Sequence, residues 1–166
     1  MNIFAVSKCP RECASYLDDV LVCRMVMETA KILSSALRLN GYDGDLVYKL
    51  SHENHPVVGW CAVSRQNYEW TLRLFQSLSV EYTSRYDKLH RSTSIYVYLV
   101  ELADYILDGE MTDFVNCAAD DSLGICYKHV QDVHEAYRLY LNHAWVTDKR
   151  EPVWNGLKRL QFKKGA

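Results

Sequence analysis

The sequence is poor in the residues that interrupt helices. It has only three prolines and seven glycines among 166 residues, and alternating runs of Val, Ile and Thr never exceed a few positions. Sandwiches and barrels depend on frequent turns and on such alternation, so this scarcity favours helices over an all-β fold. We therefore expect an all-α fold, a single compact multi-helix domain over 1–166 with a short extended segment at the N-terminus.

Long apolar runs are missing as well. No stretch of about 18 apolar residues runs uninterrupted, and the apolar run after Met1 is too short for a secretion signal. The sequence thus predicts a cytoplasmic protein without membrane contact. Its six cysteines are then expected to be mostly buried thiols, because an unexported chain with an adequate core needs no disulfides.

A strong excess of one charge is also absent. The formal net charge is −2, so the molecule as a whole does not attract phosphate polymers. Any contact with a nucleotide or with DNA must come from a local basic pocket.

Strong catalytic and cofactor motifs are lacking too. The chain has no glycine-rich phosphate loop, no Gly-x-Ser-x-Gly and no Cys-x2-Cys. Cys9-x3-Cys13 and His52-x2-His55 have spacings that zinc accepts, but the two pairs lie far apart in the sequence, and chance pairs are common in a chain this rich in Cys and His. We predict no metal and no cofactor.

Capping and stop signals divide the chain into helices. Pro10 suits the first turn of a brief helix to about Tyr16. A central helix over 18–39 starts at the capping carboxylate of Asp18 and stops before Gly41. Further helices are predicted over 57–62, over 65–87 with Ser64 as its cap, over 92–108 and over 131–145.

Two of these helices carry further expectations. The 65–87 helix is predicted to pack on the 18–39 helix. The 92–108 helix is predicted to bury Tyr96, Leu99, Val100 and Ala103 on one side. The segments 41–54 and 111–126 are expected to be a loop and an irregular stretch.

A polar line on the 65–87 helix is the first candidate site. Glu81 and Arg85 lie one turn apart and could form an ordinary surface ion pair. Trp70 and Tyr82 share the helix, however, and aromatic faces beside a guanidinium are how proteins grip bases and phosphates together. We expect Arg85 to bind phosphate through two parallel N–H groups.

The last predicted helix repeats this mixture of aromatic and basic side chains, although its tyrosines could simply fill the core. Taken together, the predicted nucleotide-binding residues are His55, Trp60, Asn67, Trp70, Glu81, Tyr82, Arg85, Lys88, His90, Tyr137 and Arg138.

Glu28 is a carboxylate on the otherwise apolar 18–39 helix. Such a group is either paired with a base, here Arg24 one turn earlier, or held with a raised pKa for proton transfer. If the protein is an enzyme, Glu28 is the catalytic candidate.

Several sequence blocks together resemble one protein family. They are Asn2-Ile3-Phe4, Asp19-x4-Arg24-Met25-x2-Glu28-Thr29-Ala30, His52-x-Asn54-His55-Pro56-x3-Trp60, Ser64-x2-Asn67-Tyr68-x-Trp70, Glu81-Tyr82-x2-Arg85-Tyr86-x-Lys88-x-His90 and Ala136-Tyr137-Arg138-x-Tyr140. In these blocks the chain resembles a poorly characterised group of small tailed-phage proteins. That resemblance implies action in the cytoplasm of an infected bacterial cell.

The same group is faintly similar to phage pyrimidine-dimer DNA glycosylases. Those are helical proteins with an N-terminal amine nucleophile and a catalytic Glu in the first long helix. The resemblance implies that Glu28 is the catalytic carboxylate, and Trp154 echoes their aromatic C-terminal segment. The chain departs from the pattern in having Val20-Leu21 where relatives usually show Lys-His.

Three functions are compatible with these observations. The first is a phage protein that binds a nucleotide-type ligand and sequesters or degrades a nucleotide signal of bacterial antiviral defence. The second is a glycosylase-like enzyme that acts on DNA or on a nucleotide base. The third is a host-protein-binding module that presents a flat apolar patch. The expected partner is a nucleotide or nucleotide-derived small molecule, DNA is the alternative, and a homo-oligomer is compatible with all three.

Overall fold

The computed structural model describes residues 1–155 and confirms the all-α class. The helices in this range are α1 (Pro10–Tyr16), α2 (Asp19–Leu39), α3 (Pro56–Val63), α4 (Arg65–Tyr86), α5 (Tyr96–Glu101) and α6 (Val133–Thr147). Three 3₁₀ turns cover Arg91–Ile95, Leu102–Tyr105 and Asp121–Leu123. Strands β1 (Ala119–Asp120) and β2 (Ile125–Cys126) form a small antiparallel hairpin. Residues 156–166 of the predicted domain lie outside the described residues.

Helix α2 is the centre of the fold. The carboxylate of Asp18 caps its first turn by accepting a hydrogen bond from the Leu21 amide, which supplies one of the partners that a helix N-terminus lacks. The helix ends at Leu39, before Asn40 and Gly41, as predicted. Its buried face contacts α3 and α4, so polar side chains on α2 are held in place by the surrounding core.

Helix α4 packs along α2, which confirms the predicted pairing. Ser64 caps its start by accepting a hydrogen bond from the Asn67 amide, and Asp87 ends it in a left-handed conformation. A short polar side chain adopts this conformation more readily than most residues do. Helix α1 packs on α4 as well, so α4 contacts both the first helix and the central helix α2.

The single helix predicted over 92–108 is wrong. That stretch consists of a 3₁₀ turn, the short helix α5 and a second 3₁₀ turn that ends at Tyr105. Leu99 and Ala103 are buried as predicted, whereas Val100 is 45% exposed. The segment is rich in β-branched and aromatic residues, which are weak helix formers, so tertiary contacts bend it at Ile95 and Leu102, where ψ is 0°.

The N-terminal segment passes through the core. Ile3, Ala5 and Val6 are buried, and Phe4 adopts a left-handed conformation with φ of 42°. Neighbouring elements hold this segment through its backbone carbonyls. His134 Nδ1 lies 2.6 Å from the Ala5 oxygen, and Arg138 donates to the Val6 oxygen at 2.7 Å. The first residue is thereby directed towards α2.

A helix that crosses a lipid bilayer needs about 20 mostly apolar residues. Among residues 1–155, every helix is too short or too polar to traverse a membrane.

Candidate active site

A small polar cavity lies where the N-terminal segment meets α2. Its volume is about 280 Å³. Five separate parts of the chain line it: the N-terminus, α2, the start of α3, the hairpin region and α6. The lining residues are Met1, Asn2, Phe4, Leu21, Arg24, Met25, Glu28, His55, Cys117, Ala119, Asp120 and Tyr140.

The N-terminal amine and Glu28 form the chemical centre of this cavity. The amine nitrogen of Met1 lies 3.8 Å from Glu28 Oε2. The Met1 side chain is 3% exposed and that of Glu28 is 22% exposed. The ion-pair partner of Glu28 is thus the amine and not the predicted Arg24. A deprotonated amine is a nucleophile, and a carboxylate at this distance can exchange a proton with it through one bridging water.

Asn2 anchors the end of the chain beside this pair. Its side-chain oxygen accepts a hydrogen bond from the Ile3 amide at 2.8 Å, and its side-chain nitrogen donates to the Cys117 carbonyl at 3.2 Å. The left-handed Phe4 follows at once. Such a conformation is costly for an aromatic residue and persists only where the surroundings impose it. These contacts give the amine a defined position.

Tyr140 forms an aromatic wall of the cavity. Its ring stacks on Phe4 with 5.8 Å between centroids and 25° between planes. Burial raises the pKa of the Tyr140 hydroxyl, and the nearby charges of Asp120 and Glu28 raise it further against the opposing effect of Arg24. Tyr140 is therefore a neutral phenol that can donate a hydrogen bond into the cavity.

Arg24 and Asp120 bring further charges to the cavity. The side chain of Arg24 makes no hydrogen bond or ion pair with any other residue in 1–155. Asp120 accepts hydrogen bonds from the Ser122 hydroxyl and amide, and the Ser122 hydroxyl is the main cause that lowers the pKa of Asp120. The guanidinium of Arg24 is consequently available to an anionic ligand group.

A second, wider cavity of about 460 Å³ adjoins the first. The two share Phe4, Leu21, Arg24, Asp120 and Tyr140. The outer cavity adds Trp145, the basic residues Lys149 and Arg150, and the acidic residues Asp18 and Asp148. Arg150 pairs with Asp148 at 3.0 Å, so the wall carries both signs of charge.

His55 and Glu28 are the two predicted site residues that the structure brings together, since both line the cavity. His55 Nδ1 accepts a hydrogen bond from the Val57 amide at 3.2 Å and so caps α3. Burial, followed by the Met1 ammonium and His52, lowers the pKa of His55. Its ring is therefore neutral at physiological pH.

Trp60, Asn67 and Trp70 lie in the hydrophobic core and away from this cavity. Trp60 and Trp70 enclose Phe114, with ring centroids 5.0 and 4.8 Å from it. The buried Asn67 side chain donates to the Trp60 carbonyl and to the Thr112 hydroxyl, both at 2.8 Å, and accepts from the Thr112 amide. These contacts account for Asn67 and Trp70, the predicted site residues in the first half of α4.

Arg85 is buried among acceptors from several elements. Its side chain is 2% exposed and pairs with Glu81 at 2.8 Å and Asp19 at 3.2 Å. It also donates to the carbonyls of Leu17 at 2.7 Å and Ser15 at 3.5 Å. A guanidinium has five N–H groups, and these contacts occupy all of them. Phosphate binding by Arg85 would require some of them to break.

The remaining predicted residues are dispersed. Tyr82 is buried between Tyr86 and His90, with centroids 4.8 and 4.9 Å away, and Lys88 is exposed. Tyr137 donates to the Val115 carbonyl and accepts from the Cys117 amide. Arg138 pairs with Glu135 and holds the Val6 carbonyl. None of these side chains lines the cavity around Glu28.

Sequence reasoning did not select Tyr140, Asp120 or Arg24 as binding residues. No periodic pattern marks them, because they come from three segments that meet only in the folded chain. Glu28 was marked by its place on an apolar helix, and the resemblance was the signal that paired it with an N-terminal amine.

In the part of the chain that the structure describes, neither the thiols nor the possible metal ligands form a competing centre. All six cysteines are free, and burial raises the pKa of Cys13 and of Cys61 to about 12 in each case. Within residues 1–155, no three His, Cys, Asp or Glu side chains are grouped so as to hold a metal ion.

An apolar groove lies on the far end of α4. Val80 is 64% exposed and Leu89 is 77% exposed, and both line this groove together with Tyr96. It is the apolar surface that the host-protein interpretation requires, although that interpretation stays a prediction.

The chain was compared with protein-family models, curated proteins and solved structures, and none of them matches it. The resemblances to tailed-phage proteins and to pyrimidine-dimer glycosylases accordingly stay predictions.

Proposed function

We propose that this protein is an enzyme that cleaves the bond between the base and the sugar of a nucleotide-type ligand. The amine of Met1 acts as nucleophile and Glu28 transfers protons. One observation carries the proposal: the amine lies 3.8 Å from the Glu28 carboxylate, and both line the same small polar cavity.

The reaction can be written with these two groups alone. The amine nitrogen bonds to C1′ of the sugar while the C1′–base bond breaks and its electron pair leaves with the base. Glu28 accepts the proton that the amine loses and delivers it to the base. Opening of the sugar ring then gives an imine and a free hydroxyl, and addition of water releases the sugar aldehyde and restores the amine.

The surroundings of the amine are suited to such a ligand. Small-molecule sites typically enclose roughly 300–1,000 Å³, and the inner and outer cavities have volumes of about 280 and 460 Å³. The Phe4–Tyr140 pair offers an aromatic surface, and Arg24 offers a cation for phosphate. In this proposal the nucleotide binds beside Glu28 and away from Arg85.

The decisive experiment traps the imine. The protein is incubated with deoxynucleoside 5′-monophosphates, or with an oligonucleotide, in the presence of cyanoborohydride, and the modified peptide is identified by mass spectrometry. We expect an adduct on residue 1. Glu28→Gln should slow its formation by roughly 10²–10⁴-fold, because an amide cannot accept the proton. Glu101→Gln is the matched control, since Glu101 is exposed on α5 and does not line the cavity.

Other outcomes separate the alternatives. Intact mass shows whether the isolated protein carries a free amine on Met1, and a protein blocked there should form no adduct. Adducts on lysines alone would contradict the proposal. Ligand binding without an adduct, detected by a rise in melting temperature, would favour nucleotide sequestration, since a ligand at a hundredfold its Kd adds about 2.7 kcal/mol of stability.

A further inference from the structure

His55 has one ring nitrogen in use and one available. Its Nδ1 accepts a hydrogen bond from the Val57 amide at 3.2 Å, at the first turn of α3. No residue in 1–155 forms a hydrogen bond with its Nε2. The ring lines the amine cavity and also the open depression formed by 50–56, so the imidazole borders the space that a ligand would occupy.

The capping contact decides which nitrogen carries the proton. A nitrogen that accepts a hydrogen bond has no proton, so the neutral ring of His55 must carry its proton on Nε2. Burial and the Met1 ammonium lower the pKa of His55, in that order, and His52 adds to the effect. A residue that lines the cavity thereby carries a neutral N–H donor with no partner among residues 1–155.

We infer that His55 is a catalytic hydrogen-bond donor, whose Nε2–H binds the base as it leaves the sugar. The inference rests on the proposed function. The acceptor is an oxygen or ring nitrogen next to the glycosidic bond, such as O2 of a pyrimidine or N3 of a purine. Negative charge develops on the base as the C1′–base bond breaks, and a fixed donor stabilises that charge more in the transition state than in the bound nucleotide. His55 loses no proton, because Glu28 delivers the one that the base receives.

His90 is a natural control within the same chain. Its Nδ1 accepts a hydrogen bond from the Ser92 amide at 3.1 Å and caps the next 3₁₀ turn, and burial lowers its pKa. Its ring contacts Tyr82 at 4.9 Å and does not line the amine cavity. The two histidines therefore share the capping role and differ in their access to the cavity.

Two substitutions separate the two roles of His55. In His55→Asn the side-chain oxygen replaces Nδ1 as a good helix cap, and nothing replaces Nε2. In His55→Gln the amide nitrogen reaches the position of Nε2, and the cap is weakened. His90→Asn repeats the first change outside the cavity.

The experiment measures release of free base from the four deoxynucleoside 5′-monophosphates, together with the melting temperature of each variant. We expect His55→Asn to keep the melting temperature and to lower kcat by roughly 10²-fold with little change in KM. His55→Gln should melt lower but recover part of the rate. His90→Asn should release base as fast as wild type.

Three results would overturn the inference. If His55→Asn is as active as wild type, Nε2 is not needed. If His55→Asn and His55→Gln are equally slow and both melt early, His55 acts only as a cap. If wild type releases no base from any of the four nucleotides, the proposed function fails and the role of His55 fails with it.

Discussion

Two charged clusters lie along α2. They differ in whether their hydrogen-bonding groups are paired with other residues of the protein or face a cavity. At its start, Asp19 binds Arg85 and also accepts two hydrogen bonds from Asn155. Nine residues later, Glu28 lies 3.8 Å from the Met1 amine and faces a cavity. The Arg85 side chain is 2% exposed and that of Glu28 is 22% exposed. The first cluster joins elements of the fold, whereas the second leaves groups available to a ligand.

The largest expected effect on stability is at the first cluster, in which Arg85 pairs with Asp19 and Glu81. Arg85→Met removes the cation from between Asp19 and Glu81, which leaves buried carboxylate charge uncompensated. Breaking a buried ion pair in this way costs about 3–5 kcal/mol, and we expect a loss of that order in urea unfolding.

Arg73→Met is the matched control on the same helix. Arg73 is 71% exposed and pairs with Glu69 at 3.7 Å, so its removal should change the free energy of unfolding by about 0.5 kcal/mol or less. Equal stability of the two variants, with loss of nucleotide binding only in Arg85→Met, would instead support the phosphate-binding role predicted from the sequence.

The next effect concerns the two capping histidines and pH. The pKa of His55 and that of His90 are both lowered in the folded protein. Between the folded pKa and the unfolded value of about 6.5, the unfolded chain binds more protons, so stability falls as pH decreases through this window. Below the folded pKa the loss levels off.

Urea unfolding at pH 7.5 and 5.5 measures this dependence. The difference between the two pH values should be smaller in His55→Asn and in His90→Asn than in wild type, because Asn does not titrate. An unchanged difference in His55→Asn would show that His55 is not held neutral in the folded protein.

The smallest effect on stability is expected at Tyr140, in the wall of the cavity that contains Glu28 and the Met1 amine. Tyr140→Phe keeps the ring that stacks on Phe4 and removes a hydroxyl that hydrogen-bonds to no residue in 1–155. The free energy of unfolding should change by about 0.5 kcal/mol or less, while formation of the amine adduct should slow. A loss of several kcal/mol would mean that this hydroxyl belongs to a closed network like that of Arg85.

The candidate site could be predicted only in part. Glu28 stood out because it is a carboxylate on an apolar helix face, and His55 because of its sequence block, yet nothing in the sequence joined them. Arg85 and Glu81 were selected because their spacing places them on one side of a helix, which is correct. Spacing along one helix cannot reveal acceptors supplied by Ser15 and Leu17 on another part of the chain.

The sequence by itself determined where the strongest helices begin and end. Asp18, Ser64 and the Asn40–Gly41 pair act through hydrogen bonds or backbone conformations within a few residues, so their effects can be recognised locally. In 92–108 the local preference for helix is weak, so tertiary contacts decide the conformation of that segment. Only the tertiary structure decided which charged groups are paired within the fold and which face a cavity, because that outcome depends on groups brought together from distant parts of the chain.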